Sequence, residues 1–169
     1  LSIVVVVVFG MVLMGSSVVY AVDSAQTTAT VNVIQAIDIK NPTNLQFGDI
    51  VASAKGDIRV TPDGTRSITS NGGPTLAGGT ISPATFDITG VEGHNYYINL
   101  APSTNLGNEA LLTTGLWLTS LRSVPAAGPQ TLPTGGIETL RVGGTLHLEE
   151  TTIETGTYSI NFDVEVAYE

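Results

Sequence analysis

The chain is 169 residues long, carries a formal net charge of −9 and is only 12% charged, which suits one domain with about half the usual share of charge. Its six Lys and Arg are too few to neutralise a run of phosphates, which excludes nucleic acid and electrostatic docking on anionic lipid. No cysteine is present, so disulfides, thiolate metal sites and a Cys nucleophile are excluded together.

Leu1 to Ala21 open with an uncharged apolar run, Ile3 to Leu13, followed by Gly15, Ser16 and Ser17 and then Val19-Tyr20-Ala21. Small or aliphatic residues at −3 and −1 fit signal-peptidase cleavage after Ala21. Residues 1–21 are therefore expected to be a signal-peptide helix, truncated at its start, that sends the protein to the periplasm, cell surface or extracellular space. A transmembrane anchor is the competing reading, but the unbroken run is shorter than the roughly 20 residues a span needs. No membrane contact is expected after cleavage. Residues 22–28 are polar and expected to be a flexible lead-in to a β-domain over 29–169.

From Ala29 the pattern ATVNVIQAIDIK alternates at Val31 and Val33, then changes phase to Ile37 and Ile39. Such a slip predicts a bulge near 34–36 in a first strand, or burial of both faces. Asn41-Pro42 ends it. Leu45, Phe47 and Ile50 predict a short extended segment with a turn at Gly48. Gly56 to Thr61 is a short alternating strand closed by the turn tripeptide Pro62-Asp63-Gly64, with Arg66 to Thr69 as its hairpin partner. Ser70 to Pro83, rich in Gly and Pro, predicts an exposed loop. Ala84 to Thr89 turns Phe86 and Ile88 inward, and His94 to Ala101 carries Tyr96, Ile98 and Leu100 on one face.

Leu111 to Leu121 fits either a helix or a strand; its Thr content and Gly115 favour strand. Ser123 to Pro133 reads as another Pro/Gly loop. Ile137 to Leu148 reads as two short strand runs around a bulge at Gly143-Gly144. The last stretch is the strongest signal. Tyr158, Ile160, Phe162, Val164, Val166 and Tyr168 occupy every second position, one apolar face of a strand expected to run through the main sheet. The elements add up to an all-β, antiparallel β-sandwich of about eight strands.

Candidate chemistry is sparse. His94 and His147 are single histidines in alternating strands, better suited to surface polar positions than to a metal pair. Asp57, Asp63, Asp87, Asp163 and Glu165 are scattered; Asp163 and Glu165 share a strand face, but no acidic loop of calcium-binding spacing accompanies them. No Ser lies in a nucleophile-elbow setting and no glycine loop leads into a helix. The expectation is no catalytic residue, no cofactor and no metal. Trp117 and the five tyrosines would form a sugar platform if exposed; core packing is the simpler assignment.

Leu45-Gln46-Phe47-Gly48, Thr85 to Gly90, Tyr97-Ile98-Asn99-Leu100, Val142-Gly143-Gly144-Thr145-Leu146 and Gly156-Thr157-Tyr158 through Tyr168 follow one another in an order that resembles the bacterial exported domain family of unknown function DUF4402. The ending is also similar to spore-coat-U-like and chaperone–usher pilin subunits. The resemblance implies a secreted, immunoglobulin-like or jelly-roll-like sandwich that assembles on the cell surface, with no catalytic residues to transfer. It also implies a mode of partnering, in which an extended segment of one subunit adds a strand to the open sheet edge of the next. The donor would be Ala25 to Val33, with Ala29, Val31 and Val33 facing the groove; the alternative is that this segment is the domain's own first strand. Two functional readings follow: a structural or adhesive, fimbria-like surface protein, and a monomeric exported module that binds glycan or ion.

Overall fold

The computed structural model describes residues 23–102 and 109–169, so the expected signal helix over 1–21 lies outside the described residues. The chain divides into two compact units, residues 1–32 and 33–169. The described part of the first, residues 23–32, is exposed and carries no strand. The second is all-β, with no helix among its described residues. Its strands are β1 (Asp38–Lys40), β2 (Gln46–Val51), β3 (Gly56–Val60), β4 (Arg66–Ile68), β5 (Thr75–Ser82), β6 (Ala84–Thr89), β7 (Asn95–Pro102), β8 (Glu109–Thr113), β9 (Leu116–Val124), β10 (Gly128–Thr131), β11 (Ile137–Leu148) and β12 (Phe162–Tyr168).

The sandwich is organised by β11. Its first half, Ile137 to Val142, pairs with β6, and its second half, Gly144 to Leu148, pairs with β3. Strand β9 pairs with Arg141 to Leu148 and so overlaps both partners. It therefore holds the opposite edge of β11, while β6 and β3 lie end to end on the other. The glycine pair sits at that junction. A Cβ on Gly143 would run into the carbonyl of Val60 and the backbone of Thr61 and Pro62, and one on Gly144 would meet Leu118, Leu45 and Leu121 at 3.1–3.3 Å. Only glycine allows the second neighbour to begin where the first ends. The register against β9 shifts there, between Gly143 and Thr145. Beyond these, β1 flanks β6, β4 flanks β3 and β8 flanks β9, giving a seven-stranded antiparallel sheet.

Leu140, Val142, Leu146 and Leu148 lie on one face of β11 and serve two cores. The first joins Leu140, Val142, Ala84 and Ile88 to Tyr96, Ile98 and Leu132, beneath a three-stranded sheet in the order β10-β7-β12. The second gathers Ile58, Leu116, Leu146 and Leu148 beneath a two-stranded ribbon, β2-β5, whose Phe47, Ile50 and Leu76 pack down on it together with Ile153 and Tyr158. The ribbon is clasped by one side chain. Arg66 Nη1 donates to the carbonyls of Phe47 (2.7 Å), Asp49 (3.2 Å) and Gly78 (3.1 Å). Its terminal nitrogen passes so close to Gly48 that a Cβ there would come within 2.6 Å of it.

Three expectations are corrected by this arrangement. Twelve strands replace about eight: two Gly/Pro stretches assigned to loops contain β5 and β10, and Leu111 to Leu121, read as one strand, is divided between β8 and β9. Positive φ angles at Gly78 and Gly79 form an irregular ribbon whose alternation glycine leaves unwritten. The first strand spans only Asp38–Lys40, and Ala29 to Ala36 carry no strand. The C-terminal alternation is real, with every second residue from Tyr158 to Tyr168 half-buried. Its strand is confined to Phe162–Tyr168, however, and forms the edge of the three-stranded sheet rather than running through the main one. Tyr158 belongs to the second core while Phe162, Val164, Val166 and Tyr168 belong to the first, so one periodic stretch crosses two packing environments.

Candidate functional site

The edge formed by β12 differs from the edges of the main sheet and from β10. Strands β1 and β4 have three residues each, and Lys40 on β1 is ion-paired to Asp38 at 2.6 Å. Strand β10 contains Pro129, which offers no N–H, and β8 pairs irregularly with β9. Short length, lysine, proline and bulges are the usual guards against edge pairing. Strand β12 has seven residues without Pro, Gly or a basic side chain. Its inward residues Phe162, Val164, Val166 and Tyr168 pack on the first core yet remain half-buried, as do Ile37 and Ile39 at the neighbouring β1 edge. The sandwich is thus apolar and incompletely covered along this side. The strand is anchored at its end by the Tyr168 hydroxyl, which accepts the Val91 N–H at 2.7 Å and lies where a Cβ on Gly90 would stand.

The segment singled out by its alternation lies open to solvent. Val31 and Val33 are each 86% exposed, and Ala29 is exposed as well. Residues 24–37 carry no charge.

The polar candidates separate widely. His94 is exposed beside Tyr168, ring centroids 5.8 Å apart. His147 stands opposite Asp57 across β11 and β3, with Nδ1 2.5 Å from Asp57 Oδ1 and Nε2 3.9 Å from Glu149 Oε1. The two histidines thus sit in different halves, and among the described residues no three His, Asp or Glu side chains converge as metal ligands. Asp87 accepts from Asn41 Nδ2 at 2.8 Å, and Glu165 accepts from Asn99 Nδ2 at 3.1 Å. Asp163 is exposed on the outward face of β12, in phase with Glu165. Asp63 caps the turn after β3, where the Thr61 hydroxyl and then the Thr65 N–H hold its carboxyl below the usual range. The tyrosines and Trp117 do not form one platform. Tyr96 is fully buried, its hydroxyl donating to Glu138 Oε2 at 2.7 Å, whereas Tyr97 is exposed. Trp117 lies between the core residues Leu116 and Leu118 and so points to the outer face of the main sheet.

The model of the domain family of unknown function DUF4402 matches residues 37–168. The chain belongs to this family. The matched span coincides with β1 to β12 within one residue at its start and ends with the last strand, so the DUF4402 domain is the sandwich and the exposed residues 23–36 precede it. The ordered motifs acquire structural meaning: Phe47-Gly48 is the Arg66 clasp, Val142 to Leu146 the junction on β11, and Tyr168 the anchor of β12. No curated protein and no solved structure matches the chain significantly.

The recess beside His147, with Lys55, Ser70, Glu149 and Glu150, was not legible in the sequence. Asp57 and His147 are 90 positions apart and meet only through the β3–β11 register.

Proposed function

We propose that this DUF4402 protein is an exported, non-enzymatic building block of the cell surface, structural or adhesive and fimbria-like, whose copies join by strand addition. The observation that carries the reading is the presence in one chain of an uncharged, exposed segment bearing Ala29, Val31 and Val33 and of a regular seven-residue β12 edge whose apolar face is half-buried. An added strand would supply further main-chain partners for β12, and its alternate side chains would lie against the half-buried apolar face of β12. The edge does not suit pairing with itself. Two β12 strands laid antiparallel about Glu165 would bring glutamate against glutamate, which disfavours a symmetric joint. An uncharged donor meets no such repulsion.

Light-scattering mass measurement of residues 23–169 against residues 37–169 tests the reading. Chains of increasing mass formed by the longer protein and absent from the shorter one support it. A monomer unchanged by the truncation would leave the alternative, a solitary exported binding module.

A further inference from the structure

The outer face of the main sheet carries a second feature, independent of strand addition. Leu111 on β8, Trp117 on β9, His147 on β11 and Asp57 on β3 stand opposite one another in register and form one row across four strands. Their neighbours Leu116, Leu118, Leu146, Leu148 and Ile58 turn into the protein, so the row lies on the face that the cores leave free. At the end of the row is an open recess of about 590 Å³ lined by Lys55, Asp57, Ser70, His147, Glu149 and Glu150, within the ~300–1,000 Å³ typical of small-molecule sites.

We propose that this recess, lined on one side by His147 with Trp117 next to it in the row, binds a neutral hexose ring. The polar groups select the class. Asp57 takes the Nδ1 side of His147 and fixes the imidazole, which leaves Nε2 facing Glu149 across 3.9 Å. That gap is too long for a hydrogen bond, and it presents two acceptors side by side, the arrangement that two adjacent hydroxyls satisfy by donating one proton to each. Three carboxylates repel an anion, while Lys55 and the Ser70 hydroxyl provide donors for ring and hydroxyl oxygens. Trp117 Nε1 is buried without a hydrogen-bond partner, so the polar edge of the indole is turned into the sheet and its exposed part is hydrocarbon, suited to the apolar face of a sugar.

The walls are set by backbone. Glu149 N–H donates to the Gly115 carbonyl at 2.8 Å, and a Cβ on Gly115 would come within 2.8 Å of the Cβ of Glu150. Ser70 Oγ accepts the Asp57 N–H at 3.0 Å and occupies the place a Cβ on Gly56 would take.

Trp117 is the sole tryptophan and stands opposite His147, which lines the recess, so its emission reports on the recess's immediate neighbour. Residues 23–169 are titrated with methyl β-glucoside and methyl β-galactoside, with glycerol as the control. The expected result is a saturable change in emission with one of the glycosides at millimolar concentration, only a linear drift with glycerol, and binding weakened about tenfold in Glu149→Gln, as loss of one charge-assisted hydrogen bond predicts. Circular dichroism verifies that the variant is folded. No saturation by either glycoside, equal saturation by glycerol, or undiminished binding by both Glu149→Gln and His147→Gln would overturn the proposal. Because the titration does not depend on oligomeric state, it fails or succeeds separately from strand addition.

Discussion

The two cores along β11 share one strand and one face but are closed in different ways. The first has seven buried side chains, none more than 2% exposed, held between two hydrogen-bonded sheets. The second has four, exposed by up to 6%, beneath a two-stranded ribbon and side chains from the segment preceding β12. Burial of apolar area is the main favourable term in folding, so the first core is the stable half and the second is where local opening concentrates. The proposed functions divide along the same line. The edge proposed to take up a strand borders the first, more fully buried core. The recess is on the outside of the half covered by the ribbon.

Leu140 and Leu146 are the same residue on the same face of the same strand, one in each core, so truncating each in turn weighs the two halves against each other. Leu140→Ala is expected to cost about 3–5 kcal/mol and Leu146→Ala nearer ~2 kcal/mol, because the thinner core relaxes around the loss. Urea denaturation reads both; equal costs would mean that the halves do not differ. Arg66→Ala removes a cationic donor from three carbonyls and is expected to cost about 2 kcal/mol. Hydrogen exchange should show faster exchange confined to β2, β5 and the turn before β4, with the three-stranded sheet unchanged.

Within the first core, Tyr96→Phe is expected to cost about 1 kcal/mol, the worth of its single buried hydroxyl bond. Burial and then the neighbouring Glu138 carboxylate push the Tyr96 phenol far above its ordinary value. The unfolded chain loses that proton near pH ~10 while the folded protein keeps it, so stability falls as pH rises beyond about 10. The phenylalanine variant should have a shallower alkaline limb in thermal melts. The smallest effect is expected at the turn after β3. Asp63 is fully exposed and its carboxyl lowered chiefly by the Thr61 hydroxyl, so Thr61→Val should return its titration, followed by carboxyl NMR, toward the ordinary value while leaving stability nearly unchanged.

Much of this fold is legible in the sequence, for identifiable reasons. Ala84 to Thr89, Asn95 to Ala101 and Gly56 to Val60 announce themselves because one face is buried and the other wet, which writes a period of two. Gly143-Gly144 is legible as an irregularity, though not as the place where one sheet edge changes partners, since that depends on which strands arrive there. The period-two rule reports a buried face and is silent about the edge. It therefore finds Phe162 to Tyr168 without revealing that this strand ends its sheet. In β5 the pattern is lost because Ala77 is small and Gly78-Gly79 carry no side chain to alternate. The recess is illegible altogether: Asp57 and His147 meet through register, a property of the assembled sheet.

Whether β12 takes up a strand, as proposed, is read from amide hydrogen exchange along Phe162 to Tyr168. Residues 37–169 are measured alone and with a peptide of residues 23–36. The account predicts that β12 amides directed away from β7 exchange rapidly in the domain alone and slow at least about tenfold with the peptide, while β10 amides do not change. Equal exchange with and without the peptide, or protection appearing at β10 instead, would contradict it.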